Sequence, residues 1–226
     1  MRQKTLKNRT GWMIFTATIS FCLALGAIPS QAADKVVVIP LVRVIESESG
    51  PLASVIKTGQ TTSYATGDDG TWQKGASVSG RFVDNGNGTV TDRLTGLIWL
   101  KEAQCTTFFS GDVTGTNNRS WAPAIAAANQ LASPYCGLSD GSKAGDWRLP
   151  NRKELISLID DARFQPALPI DCPLVLPNAY YWSSTTVNRQ PTVAYVVNLD
   201  VGYMDSGEDK LNVVNTIRVW AVRGGL

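Results

Sequence analysis

Three of the four cysteines, a few carboxylates and a set of aromatic rings are the residues best able to do chemistry here, and the sequence contains no histidine. Without an imidazole, Ser-His-Asp and Cys-His nucleophiles, histidine-ligated zinc and the near-neutral proton shuttle are excluded. The carboxylates do not replace it. Asp160 and Asp161 are adjacent on an expected helix and so point apart, Asp68 and Asp69 fall in a turn, and Glu208-Asp209 lies in a polar loop. No pair is placed for acid/base work. The segment from Asp84 to Asp92 gathers oxygen donors, but its glycines stand where a calcium loop needs ligands, which favours a hairpin. No catalytic, cofactor-binding or metal-ligating residue is assigned, no cofactor is expected, and the expectation is a protein that is not an enzyme.

Aromatic rings are the remaining means of touching a ligand, since flat rings stack on sugar faces while their polar tips hydrogen-bond at the rim. Trp99, Trp147 and Trp220 lie in strongly patterned strand or helix-opening contexts and read as core. Trp72, Tyr180, Trp182 and Tyr203 are less constrained by pattern and are the ligand-contact candidates.

The amino terminus reads as a processing segment. Arg2, Lys4, Lys7 and Arg9 form a basic leader, residues 12–28 are apolar and uncharged, and Ser30-Gln31-Ala32 places small residues where signal peptidase reads them. A secretory signal over residues 1–32 is expected, the alternative being a single membrane anchor. Cys22 follows the bulky Phe21, where lipid attachment would need a small residue, so lipidation is not expected. Beyond the leader, 17 basic residues face 19 acidic ones, a net charge of −2. With no basic run, there is no electrostatic footprint for nucleic acid. A local cationic patch is compatible with that sum.

Cysteine usage agrees with an exported protein, periplasmic or extracellular. Of Cys105, Cys136 and Cys172, at most one pair can form within a chain, and none has the CxxC spacing of a metal site. Cys105 and Cys136 bracket an expected helix and are the preferred disulfide, contributing roughly 3 kcal/mol in the loop-entropy model. Cys172, between Pro169 and Pro173, is left buried, free or bonded to another chain.

The elements that would position these residues follow from turns and periodicity. Residues 33–60 have the composition of an extended arm or linker, and residues 61–226 that of one domain without repeats. Asp69-Gly70, Asn85-Gly86 and Asn87-Gly88 are turn signals. Residues 81–83 and 89–91 read as strands around the 84–88 turn, followed by a buried strand over 97–100. Ser120 is placed as the cap of a helix over residues 121–131, with Trp121, Ile125, Ala128 and Leu131 on one face. Asn151 caps a second helix over residues 152–161, with Glu154 able to reach back to the cap's amide. Strands are expected again over 180–183, 193–199 and 217–222.

Six motifs occur in one order: Ser63-Tyr64-Ala65-Thr66-Gly67-Asp68-Asp69-Gly70; Phe82-Val83-Asp84-Asn85-Gly86-Asn87-Gly88-Thr89-Val90-Thr91-Asp92; Leu94-Thr95-Gly96-Leu97-Ile98-Trp99; Asp146-Trp147-Arg148-Leu149-Pro150; Tyr181-Trp182-Ser183-Ser184-Thr185; and Val222-Arg223-Gly224-Gly225. Together they resemble the Lcl C-terminal domain family, found at the carboxyl end of the Legionella collagen-like adhesin and long catalogued as a domain of unknown function. The resemblance covers roughly residues 61–225.

That resemblance implies a secreted or surface recognition module with an α+β, C-type lectin-like fold, two helices with a twisted antiparallel sheet. A glycan or a cell-surface protein is the implied partner; a structural, envelope-associated assembly protein is the alternative, and a hydrolytic enzyme a further one. No membrane span is expected after the leader, and the oligomeric state is left open. The adhesin of the family binds sulfated glycosaminoglycans and trimerises through its collagen-like region. This sequence has no Gly-X-Y repeat. Gln165-Pro166-Ala167 and Trp182-Ser183-Ser184 do not reproduce the calcium-dependent sugar loops of C-type lectins. The 147–150 segment is also similar to formylglycine-generating enzymes, but their paired carboxy-terminal cysteines are missing. Arg148 is expected to pair with a carboxylate or with backbone carbonyls.

Overall fold

The Asn-Gly repeats reverse the chain because Gly86 and Gly88 both adopt positive φ, 70° and 84°. Strand β1 (Phe82–Asp84) and strand β2 (Thr89–Asp92) pair antiparallel on either side, with Phe82 opposite Asp92 and Asp84 opposite Val90. Strand β3 (Leu97–Leu100) adds to β2. In the computed structural model these belong to residues 55–77, 79–106, 108–109, 118–176, 179–204, 207–212 and 217–225, which are the residues described. The expected leader, Cys22 and residues 33–54 of the expected arm lie outside them. Residues 55–60, also placed in the arm by composition, are tied to the body: Asp161 N donates to Thr58 O at 2.6 Å and Lys57 N to Ala76 O at 3.2 Å.

Among the described residues, one α-helix precedes β1, and two more lie between β3 and the next strands. Helix α1 (Asp69–Trp72) is a single turn capped by the Asp68 side chain. Helix α2 (Trp121–Gln130) buries Ala124, Ala127 and Ala128, with Leu131 buried just beyond it. This face is rotated from the expected stripe, because Trp121 and Ile125 stay half-buried. Trp121 is held at the side of the helix instead, its Nε1 donating to Ser183 O at 2.8 Å and Lys210 Nζ lying 4.0 Å from its ring centroid. Helix α3 (Arg152–Ile156) has the expected capping box, with Glu154 N donating to Asn151 Oδ1 and Asn151 N to Glu154 Oε2. It ends five residues short of the expected 161. Distant carbonyls account for this: Asp160 N donates to Ala167 O and Asp161 N to Thr58 O, which takes both amides out of any helical ladder.

The second sheet is a long hairpin with short additions. Strands β4 (Tyr180–Val187) and β5 (Gln190–Asn198) pair antiparallel. Strands β6 (Tyr203–Met204) and β7 (Glu208–Asp209) pair with the outer edge of β5. Strand β8 (Ile217–Arg218) runs parallel to β4. Strand β9 (Val222–Gly224) returns to the first sheet beside β3, giving the order β1-β2-β3-β9. Two sheets thus replace the one expected, the second is mixed rather than purely antiparallel, and the stretch read as one strand over 217–222 is divided between them. The α+β class holds.

Trp182 pairs with Val196, so the neighbouring Tyr195 points to the opposite face of the second sheet. Trp182 Nε1 donates to Arg119 O, just before α2, whereas Arg152 of α3 lies over the Tyr195 ring. The two helical segments therefore cover opposite faces, which explains why Tyr181 and Trp182, neighbours in sequence, are both fully buried.

Two cross-links fasten the body. Cys105 and Cys136 form the expected disulfide across 31 positions of chain, with a Cα–Cα distance of 5.5 Å. Arg81 and Asp92 form a buried ion pair, Nε to Oδ1 at 2.7 Å, and Arg81 NH1 donates to Ser157 O at 2.7 Å, joining the first sheet to the end of α3. Cys172 is a half-buried free thiol whose pKa burial pushes up to about 11. Among the described residues, no helix is long and apolar enough to cross a membrane.

Candidate functional site

The Trp147-Arg148-Leu149-Pro150 segment sets the start of α3 against the sheets. Arg148 N and O both bond Val222 at 2.9 Å, and Ser184 N donates to Pro150 O at 2.8 Å. The Arg148 guanidinium forms a bidentate bond to Glu154, at 2.8 and 2.7 Å, and its NH2 reaches Gly224 O at 3.2 Å. Those bonds to Glu154 raise its pKa above the ordinary arginine value. Arg148 is thus paired to both kinds of partner expected, and Glu154 serves ion pair and cap together.

The first turn of α3, fixed in this way, lines an open depression of about 550 Å³ with Asn151, Arg152, Lys153, Ile156 and Thr185 of β4. Arg152 N donates to Thr185 Oγ1 at 3.1 Å, and the Arg152 guanidinium carbon lies 4.3 Å from the Tyr195 ring centroid. Stacking on a ring restrains an arginine. The five lining residues supply a guanidinium, an ammonium, a carboxamide, a hydroxyl and one apolar side chain. They can orient an anionic or hydroxylated ligand, and none is a carboxylate or thiol.

The four aromatic candidates separate. Tyr180 and Tyr203 come together, Oη to Oη 3.1 Å, because Asn198 pairs with both of them across β4, β5 and β6. Tyr203 is 51% exposed and Tyr180 half-buried. Trp72 is 59% exposed and belongs to α1, another part of the fold. Trp182 is a correction: it is 0% exposed, a core residue with no ring face for a ligand.

Of the carboxylates, Asp160 is buried and its Oδ1 accepts from Ala162 N at 3.0 Å. Asp161 has its pKa raised, first by burial and then by the charges of Asp160 and Asp69. Asp84 bonds Lys101 at 2.6 Å and Asp92 bonds Arg81, so both ends of the 84–92 segment are engaged within the protein. Among the described residues, no group of three or more His, Cys, Asp or Glu is arranged to hold a metal ion.

Sequence reasoning located Asn151 and Glu154 through the capping box but missed the depression. Thr185 and Tyr195 join Arg152 only through the packing of α3 on the second sheet, a long-range event that no local pattern announces.

Residues 88–223 match the family model of the Lcl C-terminal domain. The matched span contains the depression and both disulfide cysteines. No curated protein and no solved structure matches the chain.

Proposed function

The chain belongs to the Lcl C-terminal domain family, and from that premise we propose that it is an exported, non-enzymatic recognition module of the adhesion kind. Its ligand is an anionic surface chain, a sulfated or carboxylated glycan, received at the first turn of α3. The observation that carries this reading is Arg152, stacked on Tyr195 beside Lys153 at the mouth of an open depression. Two cations on one turn make a local positive field although the residues after the expected leader sum to −2. The same lining favours binding over turnover, since it offers donors and neither a carboxylate nor a thiol. Export is supported by the disulfide and by the basic and apolar leader pattern. We read the architecture as C-type lectin-like, on the support of two helices followed by a long hairpin and a last strand returning to the first sheet.

A glycan and glycosaminoglycan array probed with the purified protein lacking residues 1–32, with and without chelator, tests the reading. Binding to sulfated or carboxylated chains that survives chelation is expected. A blank array would overturn it in favour of protein partners or assembly, and hydrolysis of an arrayed glycan would overturn the non-enzymatic part.

A further inference from the structure

Residues 55–77 precede the span matched by the family and form a lobe with its own construction. At its base Ala76 N donates to Val55 O at 2.8 Å, and a Cβ on Gly75 would come within 2.7 Å of that same carbonyl. Higher up, Gly70 packs so closely on the backbone that an added Cβ would lie 2.1 Å from Thr62 O. At the tip the Asp68 carboxylate accepts from Tyr64 N at 2.6 Å, Ala65 N at 3.1 Å, Thr71 N at 2.9 Å and Thr71 Oγ1 at 2.8 Å. Those bonds, the one from Tyr64 N foremost, hold its carboxyl well below the usual carboxylate range. The tip is therefore a bonded frame.

On that frame stand two large rings in water: Tyr64 is 80% exposed and Trp72 59%. Their neighbours Thr61, Thr62, Ser63, Ala65, Thr66 and Gly67 are all exposed, and all are small or hydroxylated. Lys74 Nζ lies 5.8 Å from the Trp72 ring centroid. A protein partner docking by apolar burial needs a continuous apolar patch, and isolated rings among hydroxyls do not make one. A pyranose suits the tip better, since its C–H face covers a ring while its hydroxyls meet threonine, serine and ammonium groups. A rigid frame also reduces the ordering cost that weak sugar contacts would otherwise carry.

We propose that the tip of this lobe is a carbohydrate-contact site, with Trp72 and Tyr64 as stacking platforms for the sugar rings of an uncharged oligosaccharide. It differs from the depression at α3 both in residues and in ligand chemistry.

Cellohexaose and chitohexaose titrated into the protein lacking residues 1–32, read by saturation-transfer NMR and calorimetry, test the site. Wild type is expected to bind one of them at millimolar concentration, and Trp72→Ala and Tyr64→Ala each to weaken that binding by about tenfold or more. Melting temperatures of the two ring variants should match wild type, because both rings are largely exposed. No binding of either sugar by wild type, or unchanged binding in Trp72→Ala, overturns the proposal and leaves the reading of the α3 depression standing.

Discussion

The Trp220 ring lies 4.6 Å, centroid to centroid, from that of Trp99, and its Nε1 donates to Leu100 O at 2.7 Å. Its other neighbour, Tyr181, is 5.5 Å away and belongs to the second sheet. Trp220 therefore sits where the chain passes from β8 to β9, and one side chain packs against both sheets. Trp220→Ala should destabilise the fold by about 3 to 5 kcal/mol. Trp220→Phe keeps most of the ring but leaves Leu100 O without its donor, and should cost about 1 to 3 kcal/mol. Urea unfolding measures both.

Acid should weaken the fold through Asp92. Burial disfavours its charge, but the bonds from Arg81, Thr95 and Leu94 outweigh that and lower its pKa. A lowered folded-state pKa gives stability that is fully present above the ordinary aspartate value and lost as pH falls through the folded value. Asp161 has the opposite sign, so Asp161→Asn should raise stability slightly at neutral pH, and the gain should vanish once the pH falls below its ordinary value. Asp92→Asn should cost about 3 to 5 kcal/mol at neutral pH, because Arg81 is left buried and unpaired. Melting temperatures from pH 2 to 8 test all three signs.

Reduction should unlock the loop closed by Cys105 and Cys136. Their separation of 31 positions corresponds to about 3 to 4 kcal/mol in the loop-entropy model. The urea midpoint should fall accordingly under reductant and in the Cys105→Ala/Cys136→Ala variant. Cys172, with its pKa pushed up to about 11, should react slowly with thiol reagents near pH 8 and quickly once unfolded.

The aromatic candidates should divide as their burial does. Trp182→Ala should cost about 3 to 5 kcal/mol. Tyr203→Ala, at the exposed end of the second sheet, should change stability by less than about 1 kcal/mol. Comparable large losses in both variants would contradict the placement of Tyr203.

What the sequence revealed was local or covalent. Asn151 and Glu154 lie within one turn and declare their capping box, the 84–88 turn follows from its glycines, and a single internal pairing of three cysteines was a short choice. The rest depended on layers. Trp182 could not be assigned to core or surface because β4 is covered on both faces, which erases the alternation that marks a half-exposed strand. Helix α3 stops early because Thr58, far along the chain, and Ala167, a short way past the helix, take the amides of Asp161 and Asp160. The division of residues 217–224 between two sheets is equally invisible, because no turn residue separates Ile217-Arg218 from Val222-Arg223. The depression depends on Thr185 of β4 and Tyr195 of β5 meeting Arg152, and only the tertiary fold brings them together.

The most direct measurement is binding of immobilised heparin by wild type and by Arg152→Ala/Lys153→Ala, followed over a range of salt concentrations. Wild type should bind, with affinity falling as salt rises, and the double variant should lose about tenfold or more at low salt with an unchanged melting temperature. Heparin binding that is absent, or equally strong in the double variant, would contradict a recognition role for the first turn of α3.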